Sequence, residues 1–170
     1  NEYDKLIIFE QQNHNAKKSF WSGIALFDAY MRKAEKNNQT FSQMETLLQF
    51  LTENTNNPGY QFEVVTRKIK SNLLDNNITD ARNLIIEQCK EKMGSIDAHS
   101  IDRINLLAAR YYVKVGQSDK KYKILNIISD PSLYFQNQDE LISCLALMNS
   151  KRSNKNLVHL DNLRKNINKL

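Results

Sequence analysis

Four glycines and two prolines are all the backbone punctuation that 170 residues carry. That scarcity limits the fold more than any motif does. A β-sandwich or barrel needs turn residues every ~8 to 12 positions, and this chain cannot supply them. An all-α fold is expected. At 170 residues the chain is long enough to bury a real core within one domain.

The apolar residues recur at helical spacing. Leu6-Ile7-Ile8-Phe9 is a short apolar run that would suit a strand, but the Glu, Lys and Gln around it favour a helix. Phe20, Ile24, Phe27 and Met31 mark the next helix, which stops at Asn37-Asn38. Thr40 with Gln43, and Ser42 with Glu45, both fit a capping box opening the run Met44, Leu47, Leu48, Leu51. Asn56-Asn57-Pro58-Gly59 ends that run, and Phe62, Val65, Ile69 and Leu73 form another helix, broken at Asp75-Asn76-Asn77. Thr79-Asp80 then caps Ala81, Leu84, Ile85 and Cys89, with Gly94 as a left-handed stop. Ile101, Ile104, Leu107, Tyr111 and Val115 predict a long helix ending at Gly116. Ser118 caps a partner helix with Ile124, Leu125 and Ile128, and further helices follow around Leu141 to Met148 and Leu157 to Ile167. Eight or nine helices are expected.

These helices pair off with a period. Taking Met44, Ala81 and Lys121 as equivalent points, apolar residues stand three and four positions on: Leu47 and Leu48, Leu84 and Ile85, Ile124 and Leu125. Five positions before each stand the turn residues Gln39, Asn76 and Gly116. One hairpin cannot bury both of its faces, whereas a stack of about four can, so an α-solenoid with a concave wall of first helices is the expected architecture. An irregular bundle with coincidental spacing is the competing one.

The stretch Leu107-Ala108-Ala109-Arg110-Tyr111-Tyr112-Val113-Lys114-Val115-Gly116, followed by Lys121, Leu125 and Ile128, resembles a tetratricopeptide repeat. Small residues stand where helices touch, an aromatic lies on the first helix, and glycine makes the turn. Lys121 and Met44 depart from the small-residue preference, and no first helix carries the full tryptophan-leucine-glycine signature, so the repeats are degenerate. The order Ala98-His99, Ala108-Ala109, Lys114, Gly116, then Leu141-Ile142-Ser143, is similar to the last repeats of the tetratricopeptide subunits of the signal recognition particle. In that family a basic RNA-binding segment follows the repeats.

Charge fits such a division. The net charge is +5, and it resides in the last twenty residues, where Lys151, Arg152, Lys155, Arg164, Lys165 and Lys169 face only Asp161. A helical-repeat body over 1–150 with a basic terminal helix over 151–170, packed on or extending the same domain, is the expected organisation. Those six cations are candidates for RNA phosphate or an acidic partner, with strong salt dependence, although the segment has no aromatic residue for base stacking. A solvated last helix explains them equally.

Catalytic chemistry finds no foothold. His14, His99 and His159 are far apart, Cys89 and Cys144 lack ligands at zinc spacing, and the glycines stand singly, so neither a metal centre nor a glycine-rich phosphate loop is expected. No cofactor is expected either. Carboxylates such as Asp28 with Glu35, and Asp139-Glu140, read as solvating. Cysteines inside apolar stretches fit a reducing compartment. The first residues, Glu2 and Asp4 among them, lack a signal peptide's pattern, and no apolar run approaches the ~20 residues of a membrane span. A soluble, cytoplasmic, non-enzymatic piece of a larger protein is expected, without membrane insertion and without a small-molecule substrate.

Eleven positions before the equivalent points stand Lys33, Lys70 and Arg110, with Arg103 and Lys114 nearby. In the solenoid reading these cations line the concave wall with Tyr30, Tyr111 and Tyr112, and hold the carboxylates and apolar side chains of a partner peptide or helix. The competing view is that they are ordinary solvated charges. Two further functional readings share this fold: a ribonucleoprotein subunit whose basic end touches RNA, and the peptide-sensing domain of a bacterial regulator.

Overall fold

The structure, a computed structural model, describes residues 2–55, 57–92 and 98–117. Six α-helices and no strand lie among the described residues: α1 Glu2–Lys17, α2 Phe20–Asn37, α3 Ser42–Glu53, α4 Pro58–Leu74, α5 Ile78–Lys92 and α6 Ala98–Lys114. The all-α expectation therefore holds for these residues. The helices expected beyond Ser118, the stop at Gly94 and the basic segment 151–170 lie outside them. The described residues divide after Asn77 into two compact units, α1 to α4 in the first and α5 with α6 in the second.

In the first unit α2 is the central element and packs on α1, α3 and α4. Its Ile24, Leu26, Phe27, Met31 and Ala34 are buried together with Met44, Leu47 and Leu51 of α3 and Val64 of α4. Each large side chain so buried contributes about 1.5–3 kcal/mol. Ser19 caps α2: its Oγ accepts from the Ser22 N–H at 3.1 Å, and the Ser19 N–H donates back to Ser22 Oγ at 3.1 Å. Gly23 lets α3 come close, since a Cβ there would stand 3.1 Å from Leu51 Cδ2 and 3.1 Å from Phe50 Cε1. The run Leu6-Ile7-Ile8-Phe9 is helical; Ile7 is buried and Leu6 packs on the core, while Ile8 and Phe9 remain exposed.

Two expected boundaries move. α3 begins at Ser42 with Phe41 in the cap position and no side-chain cap. Thr40 Oγ1 donates instead to Asp75 Oδ1 at 2.6 Å, and Ser42 Oγ to Gln43 Oε1 at 3.4 Å, so neither capping box forms. Packing decides the outcome, because the Phe41 ring lies against Tyr30 and the core. Asn57-Pro58, expected only as a stop, opens α4: the Asn57 side chain accepts from the Tyr60 N–H at 2.9 Å, and Pro58 occupies the first turn, where its missing N–H costs nothing.

The helices α2, α4 and α6 end alike. Asn38, Asn76 and Gly116 are left-handed, with φ of 53°, 64° and 78°. The next N–H in each case returns to the carbonyl five residues back, Gln39 to Ala34, Asn77 to Asn72 and Gln117 to Tyr112. This closure satisfies carbonyls that the helix end leaves open. It recurs near the expected turn positions, with Asn38 in place of Gln39.

In the second unit α5 packs on α6. Ala81, Ile85 and Gln88 are buried on α5, and Ile104, Leu106, Leu107, Ala109 and Val113 on α6.

Candidate functional site

The sequence-expected wall residues have separate fates. Lys33 Nζ bonds Asp4 Oδ1 of α1 at 2.6 Å and stands 5.3 Å from the centre of the Phe41 ring. It holds α1 to α2, and the bond keeps the Asp4 carboxyl below its usual range. Tyr30 is half-buried, its ring 6.0 Å from that of Phe41. Arg110 is buried, 8% exposed, so its guanidinium belongs to the interior of its unit. Lys70, Arg103 and Lys114 are half-buried. The terminal cations Lys151, Arg152, Lys155, Arg164, Lys165 and Lys169 lie outside the described residues.

Tyr111 and Tyr112 are brought together. Their rings meet edge to face with centroids 5.2 Å apart, and both line a cleft of about 340 Å³ between α5 and α6. Ile85, Ile86 and Ala108 form its apolar surface, and Arg82 and Gln117, both exposed, add a guanidinium and an amide. Among the described residues no carboxylate lines it. The volume is near the lower end for ligand pockets, suited to one or two side chains. Ile85, Ile86 and Ala108 sit on expected helix faces, but Arg82 lies off the apolar stripe and carries no sequence signal of its own.

The first unit has its own cavity of about 450 Å³ where the start of α3 meets the end of α4. Thr40, Ser42, Asn72 and Asp75 make its polar side, and Met44 and Leu48 its apolar side. Thr40 and Asp75 already satisfy each other.

Asp28, expected as a solvating carboxylate, is part of a clamp. Arg67 donates from Nε to Asp28 Oδ1 at 3.0 Å and from Nη2 to Oδ2 at 2.6 Å, while its Nη1 donates to the Glu63 carbonyl at 3.0 Å and to Glu63 Oε2 at 2.7 Å. At the α1–α2 corner, His14 Nδ1 is 3.0 Å from Ser22 Oγ, and its ring meets Phe50 edge-on at 4.9 Å. Burial, then the charge of Lys18, pushes the His14 pKa down.

Among the described residues no three His, Cys, Asp or Glu side chains gather as metal ligands would. None of the described helices is long and apolar enough to cross a membrane. Comparison with protein-family models, with curated proteins and with solved structures finds no match to this chain.

Proposed function

We propose that this protein is a non-catalytic interaction scaffold, a degenerate tetratricopeptide-like solenoid that holds a segment of a partner protein in the α5–α6 cleft. The observation that carries this reading is the pairing of Tyr111 and Tyr112 over an apolar surface, with Arg82 as the charged group in the lining. Rigid aromatic rings beside an arginine are the residue types that dominate protein interfaces. The exposed Arg82 beside Ile85, Ile86 and the two tyrosines favours an occupant with an apolar side chain next to an acidic one. The shared left-handed closure after α2, α4 and α6 supports the repeat. The apolar sequence surroundings of Cys89 and Cys144 support a cytoplasmic location for the scaffold.

The basic end favours one version of this reading, a ribonucleoprotein subunit such as that of the signal recognition particle. There the +5 of residues 151–170 meets RNA phosphate while the repeats hold protein.

Affinity capture from the source cell, with and without ribonuclease, is the test. Tyr112→Ala and Arg82→Glu should each reduce retention of a protein partner by tenfold or more with helicity unchanged. Retention equal to wild type in both variants would reject the cleft. Charge reversal at Arg110 is not a usable probe, because the residue is buried.

A further inference from the structure

Ile8, Phe9 and Trp21 are the large apolar side chains that stand exposed among the described residues. Trp21 differs from the other two in its support. Phe20 and Tyr60, from the first turns of α2 and α4, stack in parallel with centroids 4.1 Å apart and 4° between planes. The indole of Trp21 stands upright against both, 5.4 Å from Phe20 at 84° and 5.5 Å from Tyr60 at 80°. More than half of its surface is open, 54%. An aromatic ring fixed in place by two others loses little freedom when something stacks on it.

Two cations stand next to it in the chain. Lys17 and Lys18 immediately precede this corner and are exposed. Neither α2 nor α4 has an acidic residue in its first turn. Glu53, in the last turn of α3, accepts a hydrogen bond from Gln49 at 2.9 Å.

We propose that Trp21, braced by Phe20 and Tyr60 beside Lys17 and Lys18, is a stacking platform for the bases of a single-stranded nucleic acid. A nucleotide has two chemical halves, a flat π-face and a phosphate, and this corner presents a partner for each. An acidic peptide would use the lysines and leave the ring to chance. The platform supplies the aromatic contact that the basic segment 151–170 lacks. It is carried by the first unit and stands independently of what the α5–α6 cleft holds.

Trp21 is the only tryptophan in the chain, so its fluorescence reads this site alone. Titrating the full chain with a 12-nucleotide single-stranded oligouridine at low salt should quench that emission. Inorganic polyphosphate and oligoglutamate should leave it unchanged. In anisotropy with a labelled oligouridine, Trp21→Ala should weaken binding about five- to a hundredfold, with Trp21→Phe in between. Replacing Lys17 and Lys18 by Gln should lower the salt slope by about 0.7 each. The proposal is overturned by absence of quenching, by Trp21→Ala or Trp21→Phe binding as wild type does, or by a response to oligoglutamate or anionic vesicles that the oligonucleotide fails to give. Circular dichroism of each variant separates loss of the platform from loss of the fold.

Discussion

Arg67 grips Asp28 through two parallel hydrogen bonds, Nε to Oδ1 at 3.0 Å and Nη2 to Oδ2 at 2.6 Å, and so fastens α4 to α2. The two ends of this pair differ in burial: the Arg67 side chain is 9% exposed and that of Asp28 40%. Removing Asp28 leaves a buried guanidinium with only Glu63, whereas removing Arg67 leaves two carboxylates that water reaches, Asp28 at 40% and Glu63 at 18% exposure. Asp28→Ala should therefore cost about 2–4 kcal/mol, below the full penalty of a buried pair because water screens one side. Arg67→Met should cost less than Asp28→Ala. Urea unfolding followed by Trp21 emission, which reports on the first unit, checks the order of the two variants. An equal effect would show that lost packing, and not the stranded charge, is the governing loss.

Acid should loosen the packing of α1 on α2 in two stages, first at the His14 corner and then at the opposite end of the pair, where Asp4 meets Lys33. Burial holds the His14 pKa below the ordinary value near 6.5, so the folded state disfavours the charged ring. The stability this represents is complete above about pH 6.5 and is lost as pH falls below that value. The Asp4 pKa is also depressed, first by its hydrogen bond with Lys33. Its contribution is present above the ordinary carboxylate value near 3.8 and is lost as pH falls through the lower folded value. Urea midpoints at pH 7.5 and 5 should differ for wild type, and the difference should shrink in His14→Gln. Asp4→Asn should leave that interval unchanged and flatten only the region below pH 4.

Gly23 sets how closely α2 and α3 approach. A methyl group there would stand 3.1 Å from both Leu51 Cδ2 and Phe50 Cε1. Alanine gains up to about 1 kcal/mol of helix propensity over glycine, and overpacking costs about 1–3 kcal/mol. Gly23→Ala should be neutral to mildly destabilising, and Gly23→Val clearly destabilising. Phe50→Leu should relieve part of the second effect, because Phe50 contributes the closest ring atoms. A double-mutant cycle on the unfolding midpoint measures this coupling.

The limits of reading this fold from sequence follow the same division between local and distant contacts. The apolar spacing of Phe20 to Met31 and of Ile104 to Val113 marks α2 and α6, because helical periodicity is a local property. Thr40 and Ser42 mislead about the start of α3, since Thr40 bonds Asp75, 35 residues away, and Phe41 is held by the core. Lys33 suffers the same fate at the candidate site. Its partner Asp4 lies 29 residues off, just as Asp28 lies 39 from Arg67, and no spacing rule reveals either pair. Tyr111 and Tyr112 stand out in the sequence as adjacent aromatics on one helix, but Arg82 becomes part of their surroundings only when α5 packs on α6.

The left-handed residues that end α2, α4 and α6 offer a comparison within one chain. Gly116 has φ 78°, where a Cβ clashes with the following carbonyl, so Gly116→Ala should lower the stability of the second unit by about 1–2 kcal/mol. Asn38 and Asn76 occupy the same region at φ 53° and 64° with a side chain present. Asparagine tolerates that region better than other residues do, yet glycine adopts it without strain. Asn76→Gly should therefore be neutral or stabilising by a few tenths of a kcal/mol, while Asn76→Val should cost more than 1 kcal/mol. Trp21 emission follows Asn76 variants, and far-ultraviolet circular dichroism follows Gly116→Ala. If Gly116→Ala and Asn76→Val were both silent, the returning bonds of Gln117 and Asn77 would not be holding these helix ends, and the repeat inferred from the three closures would lose its structural basis.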